Sequence, residues 1–318
     1  MAAMLMRMFP LLLLLLLGGC GDDRPERIAQ FQQLAQERVA YLGSALEKGE
    51  IRNANLLKQY ANLLQTQKPE LTPLLEELAK DASTQGPMYN SLKRRLEELG
   101  NSSNFVDLDQ QLEEAQNLYQ AADPSLYNDM LSDPVNVVAD MSNGALARVN
   151  AISREAAVLA NGAEDFGAGS QLVGNPAYGS WQTGSNGMSF WAWYGMYSMF
   201  SNLVRGPVSY DRWSSRRDYS YYNDVGRYRY TSPKQAQAQN QTFERTKKQF
   251  NNQGKRFDSP YAKSRAGSTS LSRQSSSAPK ASTVGKRSSG SKFRSNYANS
   301  SNFRNSGSRT TRGVRRGK

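Results

Sequence analysis

Few residues in this 318-residue chain are suited to chemistry: it has no histidine and a single cysteine. Without imidazole the commonest general base is missing, and with it the usual Ser-His-Asp arrangement and most zinc sites. Carboxylates are plentiful and occur as neighbours, in Glu76-Glu77, Glu97-Glu98 and Glu113-Glu114. Adjacent residues on a helix point apart, so these pairs predict solvated faces rather than an acid/base dyad. Lys93-Arg94-Arg95 is expected to be a charged helix face as well. No glycine-rich phosphate loop follows a strand pattern. The composition leaves a carboxylate-only hydrolase open without pointing to one, and no catalytic residue, metal or cofactor is expected.

The lone thiol, Cys20, closes the segment "MAAMLMRMFPLLLLLLLGGCGDD", which has one positive charge at Arg7, leucines from Leu11 to Leu17 and then small residues. That is the layout of an export signal, too short for the roughly 20 residues that a spanning helix needs. Leu17-Gly18-Gly19-Cys20 resembles the lipobox of bacterial lipoproteins. The resemblance covers residues 1–20 alone and implies cleavage before Cys20, a diacylglycerol on its sulfur and an acyl chain such as palmitate on the new amino end. A lipidated Cys20 leaves no thiol for a disulfide, a redox reaction or a metal. Gly21 follows the cysteine and Asp22 comes after it. In the family's sorting pattern this implies the outer membrane, with the protein facing the periplasm.

Charge divides the remainder of the chain. Residues 21–165 hold 23 acidic and 13 basic residues, whereas residues 166–318 hold 5 and 26. The acidic half has helical spacing: Ile28, Phe31, Ala35, Val39, Leu42 and Leu46 recur at three and four residues and share one face. Gly43 sits within this helix and Gly49 near its end. Leu56, Leu57, Tyr60, Leu63 and Leu64 predict a second helix ending before Pro69, and further leucine-rich stretches come after it, broken at 85–87 and at Asp123-Pro124. A last helix is expected to start at Pro134 and to carry Val137, Val138, Met141, Leu146, Val149, Ile152 and Leu159. Short connections favour antiparallel neighbours. The expected fold class is all-α, a helical bundle or helical-hairpin stack, followed by a small aromatic-rich module and a disordered basic tail.

The aromatic-rich region holds all four tryptophans, Trp181, Trp191, Trp193 and Trp213, and nine of the 16 tyrosines. Its least polar stretch, "SFWAWYGMYSMFSNLV", is expected to form an interfacial helix over 188–204. There Trp191, Trp193, Tyr194, Tyr197 and Phe200 either meet a membrane surface or pack as a core. "DYSYYNDVGRYRY" predicts a β-hairpin over 218–230, whose Tyr and Arg residues suit sugars or phosphates. Ser232-Pro233 signals the start of a basic helix.

Downstream of Lys255 the chain is Ser, Arg, Lys, Asn and Gly with Asp258 as its one acidic residue, a composition that predicts disorder. Lys286, Arg287, Lys292, Arg294, Arg312, Arg315 and Arg316 are its candidate polyanion-binding residues. In an exported protein the anions at hand are phospholipid, lipopolysaccharide and peptidoglycan, whereas nucleic acid is not expected unless it is extracellular DNA. The expected organisation is a signal peptide over 1–19, a lipidated linker over 20–26, an acidic α-helical domain over 27–163 and the Gly/aromatic-rich module over 164–232. A basic helix over 233–252 and the tail over 253–318 complete it. The expected function is non-enzymatic: a lipid-anchored envelope protein whose tail contacts anionic polymers and whose helical domain contacts a protein partner. The alternative is an envelope hydrolase or transferase acting on carbohydrate through the Tyr/Arg-rich module.

Overall fold

The computed structural model describes residues 22–149, 169–193, 195–201, 203, 206–216 and 220–257. Cys20, the signal segment and the seven candidate polyanion-binding residues of the tail lie outside them. Within them the chain is mostly helical, with one small antiparallel sheet.

The first half is a helical bundle built from α1 (Arg24–Glu47), α2 (Arg52–Gln67), α3 (Thr72–Ala79), α4 (Pro87–Leu99), α5 (Leu108–Ala121), α6 (Pro124–Met130) and α7 (Ser132–Met141). Proline in the first turn of α1, α3, α4 and α6 costs no intrahelical hydrogen bond there and presets φ. Ile28, Ala35, Val39, Leu42 and Leu46 of α1 are buried, the face that the three-and-four spacing predicts. Gly43 is the residue at which α1 meets α4, since a Cβ there would stand 2.5 Å from the Tyr89 hydroxyl. Tyr89 uses that closeness to donate to the Val39 carbonyl at 3.1 Å.

α1 packs chiefly along α5, and the pair runs parallel rather than antiparallel. Arg24 at the start of α1 pairs with Asp109 at the start of α5, at 3.1 Å. Further along, Arg38 donates to the Tyr119 hydroxyl at 2.7 Å and pairs with Asp123 at 3.6 Å. Three intervening helices let the chain return to the same end before α5 begins.

The structure departs from the sequence expectation in three places, one at the end of the bundle and two in the second half. The last bundle helix ends at Met141; Leu146 and Val149 pack against the core from an irregular segment, while Ile152 and Leu159 lie outside the described residues. In place of a helix over 188–204 there is a strand, β2 (Ser189–Trp193), followed by a turn and the short helix α8 (Tyr197–Ser201). In place of a hairpin over 218–230, residues 222–226 form a π-helical turn, and no strand occurs among described residues 220–230. The fold is therefore not all-α. β1 (Gly179–Thr183), β2 and β3 (Val208–Ser209) form an antiparallel sheet in that order, and α9 (Tyr210–Arg216) follows β3 directly.

The physical reason is the period of the pattern. In Trp191-Ala192-Trp193 the two rings are spaced by two with a small residue between them, which suits a strand with two unlike faces. Trp191 lies opposite Trp181 and Trp193 opposite Gly179, so these tryptophans share one face of the sheet. That face is the inner one: Trp191, Trp193, Phe200 and Trp213 are buried and belong to the same continuous apolar cluster as the bundle leucines.

Polar groups fasten the halves together. Asp133 of α7 accepts from the backbone N–H groups of Tyr221 and Tyr222 and from the Ser220 hydroxyl, at 2.7, 3.0 and 2.9 Å. It thus caps, from another element, the start of the π-helical turn Tyr222–Gly226. Arg95 of α4 holds Glu114 of α5 through two N–H donors, at 2.7 and 3.1 Å, and donates a third to the Arg229 carbonyl at 2.6 Å. Tyr230 donates to the Ala121 carbonyl at 3.0 Å beside it.

Candidate functional site

The long helix α10 (Pro233–Asn252) starts with a reciprocal cap, in which the Ser232 hydroxyl accepts from the Gln235 N–H and the Gln235 side chain accepts from the Ser232 N–H. This is the start signal carried by Ser232-Pro233. Most of its buried residues are polar: Gln239, Thr242 and Thr246. Both hydroxyls are satisfied within the helix, on the Ala238 and Thr242 carbonyls. Gln239 spends its whole amide on packing: its Nε2 donates to the Gly174 carbonyl at 3.0 Å and the Tyr222 hydroxyl at 2.9 Å, and its Oε1 accepts from Arg227 at 2.7 Å. The helix is thereby tied down along one line.

Between that line and the sheet a groove of about 200 Å³ remains open. Trp181 and Trp191 line it on the sheet side, and Gln235, Gln239, Thr242 and Arg245 on the helix side. Trp181 is half-buried and sits edge-on to Trp191 and Tyr210, with ring centroids 5.3 and 4.8 Å away. These contacts fix its ring in place. The indole N–H groups of Trp181 and Trp191 are buried without a hydrogen-bond acceptor among the described residues. Arg245 is exposed, its Nε donates to the Gln241 carbonyl at 3.2 Å, and no ion pair is formed by it among the described residues. The groove can hold a small ring against indole, with an amide and a guanidinium at its rim.

Besides Glu114, two fully buried carboxylates lie away from the groove. Asp81 accepts from the Met88 N–H at 3.0 Å at the start of α4, and burial pushes its carboxyl up to about 7. The Tyr178 hydroxyl acts on it electrostatically without a hydrogen bond of good geometry. Asp133 is also raised to about 7 by burial, against the opposing effect of its donors at Tyr222, Tyr221 and Ser220. Both do structural work as caps. Among the described residues no group of three or more His, Cys, Asp or Glu is arranged to hold a metal ion.

The residues singled out by sequence are dispersed. Trp191, Trp193 and Phe200 are interior, Tyr197 is half-buried, and Tyr194 lies outside the described residues. Trp193 stacks on Phe200 with centroids 4.5 Å apart, a core contact. No helix among the described residues is long and apolar enough to cross a membrane. Glu76 and Glu97 are exposed and Glu77, Glu98 and Glu113 half-buried, but Glu114 and Arg95 are not the solvated groups expected; their side chains are 2% and 1% exposed. Trp181, Gln235, Thr242 and Arg245 form no group in the sequence, since only the packing of α10 on the sheet brings them together. Compared with known proteins, the chain matches no family model, no curated protein and no solved structure.

Proposed function

We propose that the chain is a non-catalytic, lipid-anchored protein of the bacterial envelope that holds an anionic polymer of that compartment. Cys20 carries the lipid, the acidic helical body contacts a protein partner, and the basic C-terminal segment contacts the polymer. The observation that carries this reading is the placing of cationic side chains on the second half. α10 exposes Lys234, Arg245 and Lys248, and the exposed Lys255 and Arg256 come next. Beyond them the sequence continues with Lys286, Arg287, Lys292, Arg294, Arg312, Arg315 and Arg316. Such an array attracts polyanions by summed charge and loses them as salt screens it, over about 8 Å at physiological ionic strength.

Co-sedimentation with purified peptidoglycan sacculi tests the polymer arm. The full-length protein is expected to pellet with sacculi at low salt and to be released at high salt. A version with these seven of the tail's cations changed to glutamine is expected to stay in the supernatant. Equal pelleting of both versions overturns the assignment of the tail. The anchor is tested separately with metabolic palmitate label, which is expected on the wild type and absent from Cys20→Ala.

A further inference from the structure

We infer that the groove between β1, β2 and α10 is a binding site for one acidic sugar ring, the unit from which an anionic envelope polysaccharide is built. The inference rests on the polymer-binding reading and names the part of the polymer recognised in the groove. At about 200 Å³ the space is smaller than the ~300–1,000 Å³ of pockets for drug-sized ligands, and suits a single ring rather than a nucleotide or a lipid chain.

The lining specifies the ring's chemistry. A sugar ring has an apolar face of C–H groups and an equator of hydroxyls, and a fixed indole plane with polar neighbours complements both. Trp181 supplies the plane, held by Trp191 and Tyr210. Trp191 is 1% exposed and backs the groove with apolar ring, its own N–H being buried without an acceptor among the described residues. At the rim Gln235 uses its Oε1 on the Ser232 N–H at 2.8 Å, leaving its NH₂ to face a hydroxyl. The guanidinium of Arg245 keeps its terminal NH₂ groups for an anion, and a planar fork matches a carboxylate in a bidentate manner. An apolar ligand would use none of these polar groups, and a neutral sugar would leave Arg245 unused.

The test is titration of intrinsic tryptophan fluorescence in the detergent-solubilised full-length protein. The probes are a muramic-acid-containing disaccharide, a galacturonate trimer and, as the neutral control, chitotriose. Both acidic sugars are expected to perturb the emission saturably, about tenfold more tightly than the neutral one. If the muramyl sugar alone saturates, the site takes the lactyl ether of peptidoglycan; if the uronate alone does, it takes a ring carboxylate. Arg245→Gln is expected to erase the preference for acid without changing the far-UV signal or thermal midpoint, because Arg245 is exposed. Trp181→Phe is expected to weaken all three sugars together. A full-length chain carrying Arg312→Gln, Arg315→Gln and Arg316→Gln is expected to retain the sugar response even where its retention on sacculi falls. No saturable response to either acidic sugar, or an acid preference that survives Arg245→Gln, overturns the inference whatever the outcome with sacculi.

Discussion

The two halves of the molecule bury different materials. The bundle closes on leucine, alanine and valine at helical spacing, and buried polar groups pair across its helices, as where Asn53 donates its backbone N–H to the Asn128 side-chain oxygen at 2.8 Å and its Nδ2 to the Asn128 carbonyl at 2.6 Å. The second half closes on rings, with Trp191, Trp213, Tyr178, Tyr210, Tyr221, Tyr222 and Phe200 among its fully buried side chains. Aliphatic side chains pack in registers set by the helix itself, so a bundle follows from local pattern. Aromatic rings meet edge-to-face and need support from several directions, which short strands, turns and a helix brought from a distance provide. The first half is therefore a scaffold of regular repeats, and the second half is where a groove survives between elements.

That contrast is broken most sharply by removing a buried group from each half. Trp191→Ala is expected to lower stability by roughly 3–5 kcal/mol, the usual cost of truncating a large buried aromatic, with no separate effect on liposome binding. Denaturant unfolding of the non-lipidated protein measures it. A loss below about 1 kcal/mol would return this segment to a surface role. Glu114→Ala is expected to cost about as much, because it strands the Arg95 guanidinium where water cannot reach it. The double change Arg95→Met with Glu114→Leu is expected to recover most of the bundle's stability and yet loosen the second half, because the bond from Arg95 to the Arg229 carbonyl is gone. Tryptophan emission, which reports only the second half, should then shift at lower denaturant than far-UV ellipticity.

The bundle is largely legible in the sequence because most of its helices announce themselves by period, by proline in the first turn or by a break after the last leucine, although Asp123-Pro124, which reads as a break, is the start of α6. The parallel pairing of α1 with α5 is not, since it depends on how many helices intervene rather than on any one of them. The aromatic segment misleads because bulky residues so dominate it that a helical face can be drawn through them. The better signal lies just upstream. Asn186-Gly187 joins Trp181 and Thr183 to Trp191 and Trp193 with matching alternation, and Gly187 adopts the positive φ of 76° that such a turn requires. The hairpin is thus 179–193 rather than 218–230. Arg95 and Glu114 look solvated in the sequence because neighbours diverge on a helix, which leaves Arg94 exposed and Glu113 half-buried but turns the other member of each pair inward. The groove is illegible for another reason: its lining comes from a sheet and a helix separated by forty residues or more, and no spacing rule spans that distance.

A pH titration of stability sharpens how the halves are joined. Asp81 and Asp133 are raised by burial to about 7, against roughly 3.9 in an unfolded chain. The folded state therefore holds their protons more tightly than the unfolded state does. Their contribution is full below about pH 4 and is lost as pH rises through about 7, each adding a downward slope of at most about 1.4 kcal/mol per pH unit. Asp133→Asn is expected to lower stability at every pH by mismatching the Tyr221 and Tyr222 donors, and to flatten that limb by one group's share. Urea unfolding at intervals from pH 4 to pH 8 gives both numbers. An unchanged slope would mean that Asp133 stays ionised in the folded state, held by its three donors.

The smallest expected effect concerns where the second half stops. Phe257 lies against Phe250, Phe243 and Tyr210, with ring centroids 5.0, 5.8 and 6.1 Å away, so the residues after α10 fold back over its aromatic side. Order thus extends into the segment expected to be tail, and the expected boundary at 253 cuts through a packed cluster. A chain ending at Gly254 is expected to lose about 1 kcal/mol relative to one ending at Phe257, the worth of a partly buried ring, or about 2–4 °C in thermal midpoint. Ending the chain at Phe257 is expected to leave the midpoint of the full-length protein unchanged, because the residues beyond it have too few apolar groups to pack. A matching loss on that second truncation would mean that basic residues beyond 257 dock on the acidic bundle. The opposite charges of the two halves would then serve the fold itself, and the tail would have to leave the bundle before it met a polymer.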